Sequence, residues 1–159
     1  IKIISDYVKE SEVEILNLRD YPAPMYGIDE EEENGFPESM LRFNDKMLEA
    51  DGYIVATPEH NGSMPAVLKN TLDWLSRMEG KIFNDKPVVF LSTSPGPRGG
   101  QSALEHMLTI MPYRGAKIVG GHALGSFHDK IDGDGLKEGE DSVDIQKLLA
   151  DLEGVMAES

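Results

Sequence analysis

The sequence predicts an α/β domain in which helices cover both faces of a parallel sheet. Three observations carry this. Short apolar runs rich in β-branched residues alternate with longer amphipathic stretches along all 159 residues. Two of those runs, Tyr53-Ile54-Val55-Ala56 and Pro87-Val88-Val89-Phe90-Leu91-Ser92, are continuous rather than alternating, as strands buried on both faces require. Each is followed at once by a turn rich in Pro, Gly, Ser and Asn. With right-handed crossovers, five parallel strands in the order 2-1-3-4-5 satisfy this pattern.

In chain order, Ile1 to Ile4 and Val13 to Leu18 read as strands from their apolar, β-branched content, and Pro37 to Ala50 as a helix. Tyr53 to Ala56 is the next strand. A helix follows from Pro65 to Glu79, with Ser63 as a plausible N-cap and Pro65 in the first turn, where its missing N–H costs nothing. Pro87 to Ser92 reads as a strand, Gly100 to Met111 as a helix, Ala116 to Ala123 as a strand and Ser142 to Met156 as a helix. No internal repeat or composition shift divides the chain, so residues 1–159 are read as a single domain.

One junction does not fit. Only Ser5 to Glu12 separates the first two expected strands, fewer than the dozen or so residues of a parallel crossover. A hairpin is the alternative, but these residues lack the Asn-Gly or Gly chemistry of short hairpin turns. The sequence therefore predicts a native stretch missing after Ile4, seen as a break between Ile4 and Ser5 wider than the ~3.8 Å of a trans peptide.

Composition excludes several function classes. With 29 acidic and 15 basic side chains the formal charge is −14, which repels phosphate backbones and anionic membranes. Nucleic acid is not expected as a partner. The chain has no cysteine, hence no disulfide framework, thiol nucleophile or Cys-ligated metal, and electron transfer would need an organic cofactor. Its apolar runs fall short of the ~18 residues of a membrane span, so no membrane partner and a cytoplasmic location are expected. The sequence opens on Ile1 rather than Met, so the native start and any targeting signal on it are not shown.

Two long loops stand out. Asp20 to Pro37 is rich in Pro and Gly and reads as irregular, its first half a candidate lid, its run Asp29 to Glu33 a solvated, self-repelling stretch. Phe127 to Asp141 holds His128, Asp129, Asp132, Asp134, Glu138, Glu140 and Asp141, yet their spacing fails the calcium-loop pattern, and a surface loop is expected instead of a metal site.

The ligand-binding candidates lie elsewhere. Thr57 to Pro65, Thr-Pro-Glu-His-Asn-Gly-Ser-Met-Pro, joins a buried strand to a helix through residues that expose backbone. In open α/β sheets, ligands bind beyond the carboxyl ends of the strands, where this turn sits. Ser92 to Gly100, Ser-Thr-Ser-Pro-Gly-Pro-Arg-Gly-Gly, follows the next strand; taken alone it could be a tight turn in which Gly99 and Gly100 ease entry to a helix. Arg98, the one cation in the two loops, either meets an anionic cofactor or faces solvent. Glu59 either holds the turn's backbone or touches substrate.

The run Pro58-Glu59-His60-Asn61-Gly62-Ser63-Met64-Pro65-Ala66-Val67-Leu68-Lys69-Asn70, followed by Asp73-Trp74, closely resembles the NAD(P)H-dependent FMN reductases of flavodoxin-like fold. The resemblance implies a three-layer sandwich around the five-stranded sheet, FMN as cofactor and NADPH or NADH as electron donor. It further implies a small-molecule electron acceptor such as a quinone, an azo compound or free flavin. It assigns the flavin ring to Pro58, Glu59, His60, Asn61, Gly62 and Ser63, and the ring edge to Ser94, Pro95, Gly96, Gly99 and Gly100. His60 stands where that family usually has Tyr, and is expected as a flavin-side contact. No catalytic side chain and no metal ligand are assigned, because a flavin carries its own chemistry and asks the protein for binding and orientation. An electron carrier that does not oxidise nicotinamide, or a flavin-free interaction domain, are the alternatives. Finally, Val67, Leu68, Thr71, Leu72, Trp74, Leu75 and Met78 spread over an arc of about 160°, wider than one sheet face demands. Either this helix is unusually well buried in its own domain, or it forms the face of a homodimer or dimer of dimers, as the resemblance implies.

Overall fold

The computed structural model describes residues 2–133 and 135–158. The chain begins with one helical turn, α1 (Lys2–Ser5), continues irregularly to a 3-10 turn at Leu18–Asp20, and forms α2 (Ile28–Asn34) and α3 (Glu38–Glu49). Strand β1 (Tyr53–Pro58), helix α4 (Ala66–Leu75), strand β2 (Pro87–Thr93), helix α5 (Gln101–Ile110), a 3-10 turn at Met111–Arg114 and strand β3 (Lys117–Leu124) follow. The chain closes with α6 (Phe127–Lys130), the short strands β4 (Ile131–Asp132) and β5 (Gly135–Leu136), and α7 (Glu140–Ala157).

The sheet is parallel, with β2 between β1 and β3. Every residue of β2 from Pro87 to Ser92 is buried, which is why this run is apolar without alternation. Its side chains still obey the two-residue period of a strand. Val88 and Phe90 enter one core layer with Met40, Phe43, Leu72, Trp74, Leu104 and Met107 from α3, α4 and α5, whereas Val89 and Leu91 enter the other with Ile145, Leu149 and Leu152 of α7. Helices thus cover both faces, giving the three-layer α/β arrangement expected. The sheet among the described residues has three strands, so the five-strand order 2-1-3-4-5 is not confirmed.

The N-terminal region corrects the sequence reading. Ile1 lies outside the described residues; Lys2 to Ser5 is helical instead of extended, and the Tyr7 N–H reaches back to the Ile4 carbonyl at 3.0 Å. The helical turn runs across Ile4 and Ser5, so the expected break is not there. A helical turn wins because it places Ile3, Ile4, Tyr7 and Val8 together on the α7 side of the core, and the carboxylate of Glu153 on α7 accepts from the Lys9 and Glu10 N–H groups at 3.2 and 2.7 Å. Val13 to Leu18 forms no strand. Leu16 and Leu18 pack inward, but Val13 and Ile15 stay exposed, and no ladder satisfies the backbone.

The two long loops carry structure that composition hid. Within Asp20 to Pro37 the acidic run forms α2, where Asp29, Glu30 and Glu31 occupy the first turn and meet the positive end of the helix. Within Phe127 to Asp141, α6 and the β4–β5 pair fold the chain; Asp134 lies outside the described residues. Among the described residues no three His, Cys, Asp or Glu side chains gather to hold a metal ion, and no helix is long and apolar enough to cross a membrane.

Candidate functional site

The register of the sheet places the candidate loops side by side. Pro58 at the end of β1 lies opposite Thr93 at the end of β2, which in turn lies opposite Leu124 at the end of β3. The loops therefore leave the same carboxyl edge in a row.

The first loop is a narrow turn. His60 and Ser63 exchange backbone hydrogen bonds at 2.9 and 3.1 Å across Asn61 and Gly62, whose φ values of 52° and 75° are both left-handed. Positive φ at both central residues is what a two-residue type I′ turn demands, and Asn-Gly is the pair that adopts it most readily. The N–H groups of Asn61 and Gly62 have no acceptor among the described residues and are exposed at the tip. The side chain of Ser63 meets Nδ1 of His106 on α5 at 3.0 Å. Pro58 and His60 are exposed and Glu59 is half-buried. One oxygen of Glu59 accepts the Ala103 N–H of α5 at 3.1 Å, so this side chain holds backbone, though not that of its own turn.

The second loop is held at both ends. Ser92 Oγ donates to the Gly99 carbonyl at 2.9 Å, and the Ser126 and Phe127 N–H groups donate to the Gly96 and Ser94 carbonyls at 2.9 and 3.3 Å. Gly99 packs so closely on the end of β3 that an added Cβ would lie 2.5 Å from the Gly125 nitrogen, and its φ of 63° is left-handed as well. Both reasons demand glycine. The Ser94, Gly96, Arg98 and Gly99 carbonyls each accept a hydrogen bond, while the N–H groups of Gly96 and Arg98 have no acceptor among the described residues. Pro95 is exposed, while Gly99 and Gly100 are buried beneath the loop. Arg98 hydrogen-bonds Ser102 at 3.2 Å, fixing the direction of an otherwise exposed cation.

Sequence reasoning missed two parts of this neighbourhood. Gly125, Ser126 and Phe127 form a third loop that braces the second one, and Ser126 is left-handed at φ 50°. A Gly-Ser pair directly after a strand was the available signal. His106 had none, because its role comes from α5 crossing beside the turn. It also lines a groove of about 430 Å³ with Lys69, Leu72, Asp73, Met111 and Arg114.

Unpaired N–H groups on two adjacent loops form a donor set that suits the polar rim of a planar heterocycle. Residues 1–129 match the family model for NADPH-dependent FMN reductases. The chain belongs to that family. Among curated relatives, it is 35% identical over 96 residues to a quinone reductase of Escherichia coli K12, covering 60% of this chain and 51% of that protein. It is 35% identical over 122 residues to a 2-hydroxy-1,4-benzoquinone reductase of a Burkholderia species, covering 75% of this chain and 66% of that one. The chain spans about half the length of the first of these relatives. In fold it is similar to the flavoenzyme NAD(P)H:(acceptor) oxidoreductase of Paracoccus denitrificans, with a TM-score of 0.79 at 22% identity over 99% of this chain and 87% of the other. The α/β, flavodoxin-like fold of this FMN reductase family member follows from that likeness.

Proposed function

We propose that residues 1–159 form a single FMN-binding domain of an NAD(P)H-dependent oxidoreductase that passes electrons to small acceptors such as quinones, azo compounds or free flavin. The observation that supports it most is the pair of loops at neighbouring strand ends, each offering backbone N–H groups without an acceptor among the described residues. Bound FMN would supply the redox chemistry, taking a hydride from NADPH or NADH and passing electrons to the acceptor. The protein's part is to bind and orient. In this reading Pro58 to Ser63 lies against the ring, and Ser94 to Gly100 lies along its polar edge. Arg98 is the cation nearest this edge in sequence and would meet a phosphate of the nicotinamide donor. The donors are soluble cytoplasmic metabolites, and a cytoplasmic enzyme is part of the same proposal.

The fit is to the ring. A flavin-free interaction domain is the second reading. NADH and NADPH oxidation, followed with a quinone before and after FMN is added, separates the two. The proposed enzyme consumes nicotinamide only with FMN present; no consumption with either donor contradicts it.

A homodimer or dimer of dimers extends the proposal. The apolar arc of α4 turns out to be mostly internal, with Thr71, Leu72, Trp74 and Leu75 buried in their own domain. Support for a subunit contact rests on the exposed Val67 and the groove between α4 and α5. Sedimentation at micromolar concentration tests it: a dimer is expected, and a monomer contradicts it.

A further inference from the structure

Helix α5 starts without a side-chain cap of its own. Its N-cap, Gly100, is left-handed and offers no side-chain oxygen, leaving the first N–H groups of the helix to find partners elsewhere. The partner of Ala103 comes from 44 residues earlier: Oε2 of Glu59, at 3.1 Å. The Glu59 backbone N–H also donates to the Thr93 carbonyl at 3.2 Å. A Cβ added at Gly100 would lie 3.2 Å from the Glu59 Cβ, so stem and helix start are in close contact. No cation pairs with this carboxylate among the described residues, and its electrostatic complement is the positive end of α5.

We propose that Glu59 is a positioning residue that sets the spacing of the two loops. The first half of the second loop is tied to the third loop through the Ser94 and Gly96 carbonyls, and Glu59 ties its far end, through α5, to the turn at His60 to Ser63. The two sets of free N–H groups then face a planar ligand as one rigid frame, and ordering is not charged against binding. This rests on the reading of those loops as the flavin site.

The test compares Glu59→Gln with Glu59→Leu, which keep similar bulk while only the first keeps an acceptor oxygen. FMN affinity is read from quenching of flavin fluorescence, the geometry of the bound ring from its visible circular dichroism, and the cap from amide exchange at Ala103 in the apo protein. Leu is expected to weaken FMN binding roughly tenfold, as loss of a helix cap coupled to the site would. It should also alter the flavin dichroism and speed exchange at Ala103. Gln should restore all three to within a few-fold of wild type. Should Leu fail to fold, Glu59→Ala makes the same comparison. Wild-type FMN affinity in the Leu or Ala variant would overturn the positioning role. So would a Gln variant that falls as far as Leu, since the charge and not the hydrogen bond would then matter. Wild-type protein that does not quench FMN at all would instead overturn the flavin reading, while Ala103 exchange would still report whether Glu59 holds α5.

Discussion

Trp74 donates its indole N–H to the carbonyl of Pro24 at 2.9 Å, and this bond ties the strap before α2 to the core of the domain. The same carbonyl accepts from Asn70 Nδ2 at 2.9 Å, and Asn70 Oδ1 accepts from the Tyr26 N–H at 2.8 Å. Tyr26 and Phe36 meet the indole edge-on, with centroids 5.1 and 6.2 Å away. Arg77 reaches Glu31 on α2 at 2.9 Å, and the Tyr26 hydroxyl donates to the same carboxylate at 3.0 Å. Asn70 and Trp74 therefore clamp a segment that composition alone suggested was a lid.

Trp74→Ala should accordingly destabilise the domain without changing its assembly. The ring is fully buried, and emptying such a site costs about 3–5 kcal/mol. Trp74→Phe should cost less, about 1 kcal/mol, because the Pro24 carbonyl keeps its bond to Asn70. Urea denaturation gives both values, and sedimentation of the Phe variant shows whether assembly is untouched; weakened assembly with wild-type stability would place the ring at a surface instead.

Gly99→Ala should act locally. The new Cβ meets the backbone of Leu124 and Gly125 at 2.6 and 2.5 Å in a left-handed conformation, so the second loop must move off the end of β3. Strain of this kind costs on the order of 1–3 kcal/mol. Far-ultraviolet dichroism should stay near wild type while FMN titration shows clearly weaker binding. Unchanged affinity would mean that the loop's position against β3 is irrelevant to the flavin.

What was legible in the sequence was what is encoded locally. Strands at Tyr53, Pro87 and Lys117 and helices at Glu38, Ala66, Gln101 and Glu140 begin within about two residues of the expected places. In each the apolar period and the punctuation by Pro and Gly agree. The failures are where a partner decides. Val13 to Leu18 has strand composition, but a strand exists only in a ladder, and no strand among the described residues pairs with it. Asp29 to Glu33 reads as repulsive until Gly27 and Gly35 bound it as a helix and Arg77 donates to the Glu31 carboxylate. The candidate turn at Asn61 and Gly62 was readable because Asn-Gly dictates its own backbone. The bond from Glu59 to Ala103 was not, because it depends on α5 starting beside β1 in space.

Acid should loosen the region behind the third loop. The Lys130 ammonium, with help from His122 at 2.9 Å, holds the Asp141 carboxyl below its ordinary value of 3.8 despite partial burial. A depressed carboxylate contributes stability that is fully present above its unfolded-state value and is lost as pH falls through the folded one. The melting temperature should therefore fall as pH drops below about 4, and Asp141→Asn should lower it at neutral pH and flatten that acid slope. An acid slope identical in the two proteins would contradict the assignment.

The proposed flavin site is the turn at Asn61 and Gly62 together with the loop from Ser94 to Gly100. The most direct measurement is an FMN titration of the isotopically labelled protein followed by amide resonances. Saturable shifts concentrated at Asn61, Gly62, Gly96, Arg98 and Gly100, with α7 and the Glu59-capped amide of Ala103 little changed, are the predicted result. Saturable shifts centred elsewhere, or none at all with FMN in large excess, would contradict it.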